Sequence, residues 1–205
     1  AIGLYMGRAL FSGAPVVYAN LVWNLFLAWI PYVLSLLAYA LISLAPRLGW
    51  LLAPLGVVWL LFFPNAPYIL TDFFHLAERP GVPLWFDILL LVVFSWTGIF
   101  LAMASLRTMQ RVVQIYLGRA AGWLFAGAAI ALSAIGIYLG RFERWNSWDM
   151  LSHPARILKD VIRPLINPLE SERFFGVSIL FAIFLLICYL VFISMDNGWS
   201  QDEPD

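Results

Sequence analysis

The sequence predicts an all-α fold: a polytopic transmembrane helix bundle of about five spans, one of them broken at Pro64–Pro67, with an amphipathic helix at the membrane interface. Two observations carry this. Of 205 residues 63% are hydrophobic and only 12% charged, with a mean hydropathy of +0.87, against about 45–50% apolar and about 25% charged in an ordinary soluble domain. The apolar residues also gather in runs of about 20, the length a helix needs to cross a hydrocarbon core of about 30 Å.

The elements follow in order. Residues 1–8 are apolar up to Gly7 and Arg8 and read as the end of a helix that starts further upstream, so a sixth span is expected in a longer chain. The clear spans are Leu21–Ala45, Trp85–Leu106, Arg119–Leu139 and Phe174–Met195. Between the first two, Leu48–Phe63 is apolar before Pro64-Asn65-Ala66-Pro67 interrupts it, and at 1.5 Å per residue it extends about 24 Å, short of a full crossing. Proline ends a helix because it donates no amide, while Asn65 can cap a new one whose first turn accepts Pro67. A half-helix with amides open to a cavity is therefore expected there, a geometry that binds anionic groups. Beyond the fourth span, residues 140–173 form an extramembrane loop. It contains a helix, 155–163, capped by Ser152 and stopped by Pro164, in which Ile157, Leu158, Val161 and Ile162 oppose Arg156, Lys159, Asp160 and Arg163. Residues 196–205 are an acidic tail, and the whole chain, 1–205, is one membrane domain.

Charge excludes some functions and orients the rest. Twelve Lys and Arg against twelve Asp and Glu leave no basic excess for nucleic acid. Cys188 stands alone in an apolar run and has no disulfide partner. Alternating spans put Arg8, Arg79, Arg141, Arg144, Arg156, Lys159, Arg163 and Arg173 on one side, called side A, and Arg47, Arg107, Arg111 and Arg119 on side B. That bias makes side A, with the 140–173 loop, cytoplasmic, although the basic 107–119 loop pulls the other way.

The unusual polar residues also gather at side A. Candidate site residues are Asn24, Asn65, Tyr68, Asp72, His75, Asp87, Arg141, Arg144, Asn146 and Asp149. At spacings of four and three, Tyr68, Asp72 and His75 share a helix face, with Arg79 next on it. Asp72 and His75 could ligate a metal with Asp87 or Glu143, but no HExxH, paired Cys or dense His cluster accompanies them, and no metal is assigned. Asp72 with Arg79 or Arg141 is equally readable as an interfacial ion pair. Gly118, Gly122, Ala126, Gly136 and Gly140 recur at helical spacing and mark the fourth span as the central packing helix. Trp145 and Trp148, with Arg156, Lys159 and Arg163, suit the headgroup layer as interface anchors.

Three stretches are long and specific: Leu21-Val22-Trp23-Asn24-Leu25-Phe26-Leu27-Ala28-Trp29-Ile30-Pro31, Phe63-Pro64-Asn65-Ala66-Pro67-Tyr68 with Thr71-Asp72, and Gly136-Ile137-Tyr138-Leu139-Gly140-Arg141-Phe142 through Trp145-Asn146-Ser147-Trp148-Asp149. On these the chain, over nearly its whole length, resembles a bacterial multi-pass membrane family, domain of unknown function 1361. The resemblance implies a shared membrane design, a bacterial inner or internal membrane and a further helix before the Trp-Asn stretch. It implies no activity.

An enzyme would need a nucleophile with its base. Ser95, Ser105 and Ser133 lie in spans that hold no His, so no catalytic residue is assigned. The leading expectation is a non-catalytic accessory, assembly or scaffolding subunit meeting a membrane-protein partner, or a second copy, through its Gly-rich and aromatic helix surfaces. The alternatives are a small-solute or lipid-handling transporter with a pocket at the Asn65 break, and an intramembrane enzyme. No cofactor is called for; a bound lipid is compatible with these surfaces.

Overall fold

The computed structural model describes residues 1–12, 18–44, 46–78 and 81–199. The protein is an all-α bundle: α1 (Ile2–Ser12), α2 (Ala19–Leu44), a 3-10 turn (Pro46–Leu51), α3 (Leu52–Phe62), α4 (Asn65–Tyr68), a second 3-10 segment (Ile69–His75), α5 (Leu84–Tyr138), a π turn (Leu139–Glu143), α6 (Asp149–Ser152), α7 (Pro154–Ile166), a third 3-10 turn (Pro168–Glu170) and α8 (Glu172–Trp199). Among the described residues four helical stretches are long and apolar enough to cross a membrane, Ala19–Leu44, Pro46–His75, Leu84–Glu143 and Glu172–Asp196. It is an integral membrane protein.

The longest stretch folds back on itself. Gly118 sits at φ +85° and ψ 171°, a region open in practice to glycine alone, and there the chain doubles back. The Trp59 indole bonds to Ser105 and lies 5.5 Å from the Phe125 ring. Residues 105 and 125 would stand about 30 Å apart in a straight helix, so the two arms, 84–117 and 119–138, run side by side. Gly118 is therefore the turn, not one of the packing glycines. The first arm also runs past Leu106 to Leu117, so the expected basic 107–119 loop is helix. Arg107 and Arg111 both reach Asp196 of α8, at 3.1 and 2.7 Å. The start of the expected acidic tail thus belongs to α8, and residues 200–205 lie outside the described residues.

Packing supplies the rest. Trp59, fully buried, stacks on Phe63 at 4.6 Å between ring centroids. Its N–H donates to Ser105 Oγ at 2.8 Å, and that hydroxyl donates to the Pro31 carbonyl at 2.9 Å. One hydroxyl thus joins α2, α3 and α5, which gives Ser105 a packing role. Small residues let the helices approach inside the chain. A methyl group on Gly98 would stand 2.4 Å from the Ala66 carbonyl oxygen, on Gly136 2.8 Å from Pro64, and on Gly140 3.1 Å from the Tyr68 ring. Gly122 lies against Gln114 across the hairpin, and Ala126 is buried. On the far flank α8 runs antiparallel to the second arm, with Phe174 against Tyr138 and Tyr189 against Trp123.

Candidate functional site

The expected break between Pro64 and Pro67 takes a different form. Backbone from Leu52 to His75 stays right-handed, and extended geometry begins only at Leu76. Pro64, not Asn65, precedes α4, and no side chain caps it. The prolines still dictate the local bonding. Pro67 has no amide for the Phe63 carbonyl, so the Ala66 amide takes that carbonyl at 3.2 Å. The Phe62 carbonyl is thereby left over, and the Asn65 side chain donates to it at 2.9 Å. The same amide nitrogen donates to Ser147 Oγ at 2.8 Å. Asn65 therefore repairs the helix wall and pins the 144–148 loop across it, where an open half-helix was expected.

From there to His75 the chain winds as a 3-10 helix of about three residues per turn, which moves Tyr68 off the expected face but keeps Asp72 and His75, three apart, on one side. Tyr68 packs on Gly140, and its hydroxyl reaches the Gly140 carbonyl at 3.5 Å. Asp72 is 2% exposed and accepts from Asn24 at 2.9 Å and Asn20 at 3.2 Å. His75 is exposed. Arg79 lies outside the described residues. Arg141 stacks over the Phe74 ring at 5.1 Å rather than pairing with Asp72. Two neutral amides thus bond the Asp72 carboxylate directly, while Arg141, an expected positive partner, and His75 act on it as nearby charges without an ion pair.

Asp87 belongs to another cluster. It is 1% exposed and forms a two-pronged ion pair with Arg8 of α1, at 2.6 and 3.1 Å, with Arg8 itself 2% exposed. The Arg8 guanidinium also lies 5.0 Å from the Tyr18 ring. Among the described residues no three His, Cys, Asp or Glu side chains converge to hold a metal. Sequence reasoning placed Arg8 on side A without seeing its partner. The signal was there: an arginine in an apolar helix needs a counter-charge.

What remains is a cavity. At its rim the π turn ends on Arg144, whose φ of +61° puts a non-glycine residue in the left-handed region. That reversal carries Trp145-Asn146-Ser147-Trp148 back over the ends of α3 and the second arm of α5. Asp149 stabilises the loop by accepting from the Asn146 amide at 2.7 Å, and the Trp145 indole donates to Asp160 of α7 at 2.9 Å. The cavity, open on one side, has a volume of about 510 Å³, within the roughly 300–1,000 Å³ of ligand pockets. Leu27, Leu60, Leu61, Leu132, Ile135 and Leu139 form an apolar floor, Ile157 and Val161 of α7 one wall, and Asn24, Asn65, Arg144, Asn146 and Ser147 the polar rim, beside Trp23, Trp145 and Trp148. Arg144 is exposed there and has no acidic partner among the described residues.

Of the ten expected site residues, Asn24, Asn65, Tyr68, Arg144 and Asn146 line this cavity. Asp72 stands behind Asn24, Asp149 behind Asn146, Arg141 lies over Phe74, Asp87 pairs with Arg8, and the exposed His75 is outside the lining. Trp23 and Ser147 join the lining unexpectedly, although both fall inside the stretches that carried the family resemblance.

No curated protein and no solved structure matches the chain. A family model described as protein of unknown function (DUF1361) matches residues 23–188, a span that takes in every residue lining the cavity, and the chain belongs to that family.

Proposed function

We propose that the protein is a lipid-handling membrane protein that takes one anionic amphiphile into this cavity. The observation that carries the reading is the pairing of an apolar floor with a polar rim whose cation, Arg144, has no acid to neutralise it among the described residues. An acyl chain would lie along Leu132, Ile135 and Leu60. A phosphate or carboxylate headgroup would meet Arg144 and the side-chain amides of Asn24 and Asn146, with Trp145 and Trp148 at the headgroup level. Asn65 acts as a positioning residue, because its bonds to Phe62 and Ser147 hold the rim in place.

The reading as an accessory or scaffolding subunit drew on the small-residue stripe of the fourth span. Gly122, Ala126, Gly136 and Gly140 are occupied within the chain. A partner or second copy would instead meet exposed surfaces such as Trp85 and Trp96, or the face of the long fifth span, α8, that carries Ile179, Ile183 and Ile187. The cavity is the better-supported element.

The test is native mass spectrometry of the full chain released from mild detergent. Wild type is expected to retain an anionic phospholipid in stoichiometric amount. Leu132→Trp, filling the cavity from a half-exposed position of its apolar floor, is expected to lose most of it with unchanged thermal unfolding. Lipid-free wild type, or equal retention by the variant, refutes the reading.

A further inference from the structure

A second surface stands apart from the cavity. Helix α7 has an apolar face too wide for the protein to cover. Its inner edge, Ile157 with Val161, closes the cavity, and Pro164 is buried beside it. Its outer edge, Leu158, Ile162, Leu165 and Ile166, is exposed, from 40% at Ile162 to 69% at Ile166. The outer edge carries a shallow groove in which Leu158, Ile162 and Ile166 lie between Lys159 and Arg163. The polar face holds Arg156, Lys159, Asp160 and Arg163. Asp160 accepts from the Trp145 indole, and the three cations make no ion pair among the described residues.

The depth of α7 follows from its contacts. Ile157 and Val161 share the cavity with Leu132 and Ile135, which lie one to two turns before Tyr138, the last α-helical residue of the second α5 arm. The helix therefore rides level with the last turns of a membrane span, where exposed leucine and isoleucine meet acyl chains and the cations beside them meet headgroups.

We propose that the outer face of α7 docks onto the leaflet surface and that Arg156, Lys159 and Arg163 select anionic phospholipid there. The occupant follows from charge complementarity: Lys159 and Arg163 flank an apolar groove at headgroup depth, Arg156 joins them on the polar face, and none of the three forms an ion pair among the described residues. Each cation close to an anionic leaflet contributes about a fivefold preference, so the three together give about a hundredfold preference over a neutral surface.

The test places an environment-sensitive fluorophore on a single cysteine, Ile162→Cys in a Cys188→Ala background of the full chain. The protein is reconstituted in vesicles of phosphatidylcholine alone or of phosphatidylcholine with phosphatidylglycerol. With phosphatidylglycerol present, quenching by spin-labelled lipid is expected to dominate over quenching by aqueous iodide. Removing phosphatidylglycerol, or substituting Arg156→Gln, Lys159→Gln and Arg163→Gln together, is expected to reverse that order. A fluorophore quenched by iodide in both vesicle types overturns the proposal. So does one shielded by lipid whatever the lipid charge or the three cations. The three side chains are exposed, so unchanged thermal unfolding of the triple variant is expected. Leu132→Trp leaves the α7 signal unchanged and the triple variant leaves lipid retention in detergent unchanged, which separates this proposal from the cavity reading.

Discussion

Arg144 is where the backbone and the cavity make opposite demands, and Arg144→Gly tests both. Its φ of +61° imposes roughly 1–2 kcal/mol on any residue with a Cβ. Glycine removes that cost but gives the unfolded chain more freedom, worth about 0.4–1 kcal/mol against folding. The net expectation is a gain of about 0–1.6 kcal/mol, or an unfolding temperature raised by up to about 3–6 °C in a chain of this size. The rim loses its cation in the same step. A hydrogen bond to a charged group is worth about 1.5–3 kcal/mol, so affinity for an anionic amphiphile should fall by about tenfold to a hundredfold. Stability is read by thermal unfolding of the purified protein, and binding by quenching of tryptophan fluorescence with bromine-labelled phosphatidylglycerol. Arg144→Ala keeps the backbone cost while removing the charge, so it should bind as weakly as the glycine variant without the gain in stability. A glycine variant that unfolds earlier than wild type refutes the backbone argument; one that binds as wild type does refutes the role of the cation.

Three further outcomes are expected. Asp87→Leu leaves the buried Arg8 guanidinium without its partner, a loss of about 3–5 kcal/mol; Arg8→Met with Asp87→Leu should recover most of it, as measured by thermal unfolding of the three variants. Gly98→Ala drives a methyl group into the Ala66 carbonyl and should cost about 1–3 kcal/mol or more, whereas Gly127→Ala meets nothing within 4 Å and should be neutral or stabilising by up to about 1 kcal/mol; equal unfolding temperatures would count against the close approach. Ser105→Ala leaves the buried Trp59 indole N–H unpaired, costing about 1–3 kcal/mol, and should leave lipid retention in native mass spectrometry unchanged once the protein is folded.

The spans were legible because apolar length is a local property: Ala19–Leu44 departs from the expected Leu21–Ala45 only at its ends. The amphipathic helix was legible for the same reason, although Pro164 does not stop it and His153, not Ser152, precedes it. Misreadings arose where bonding is distant or where one residue type serves two purposes. Arg107 and Arg111 look like loop residues until Asp196, 89 and 85 positions away, receives them. Gly118 looks like a packing glycine, because spacing does not distinguish a small residue at a contact from one at a reversal. The partners of Asp72 and Asp87 lie 48 to 79 positions away, and local charge patterns hold no trace of such separations. The winding from Ile69 to His75 changed which residues share a face, since a tighter helix alters the register within two turns.

The reversal at Gly118 also bears on how the chain enters the membrane during synthesis. Its two arms are joined by a single residue, leaving no room for the turn to be held by a folded domain on side B. The Gly118 backbone and the contact of Gly122 with Gln114 across the turn set the U-shape within the pair itself, so it can be inserted as one hairpin before α8 is made. Whatever orientation the earlier helices adopt, α8 must then start from the side on which α5 began. Removing α1 should therefore weaken the bundle through the loss of Arg8 without inverting the segments that follow, and a reporter inserted at Gly118 should disturb assembly far more than one placed between α7 and α8.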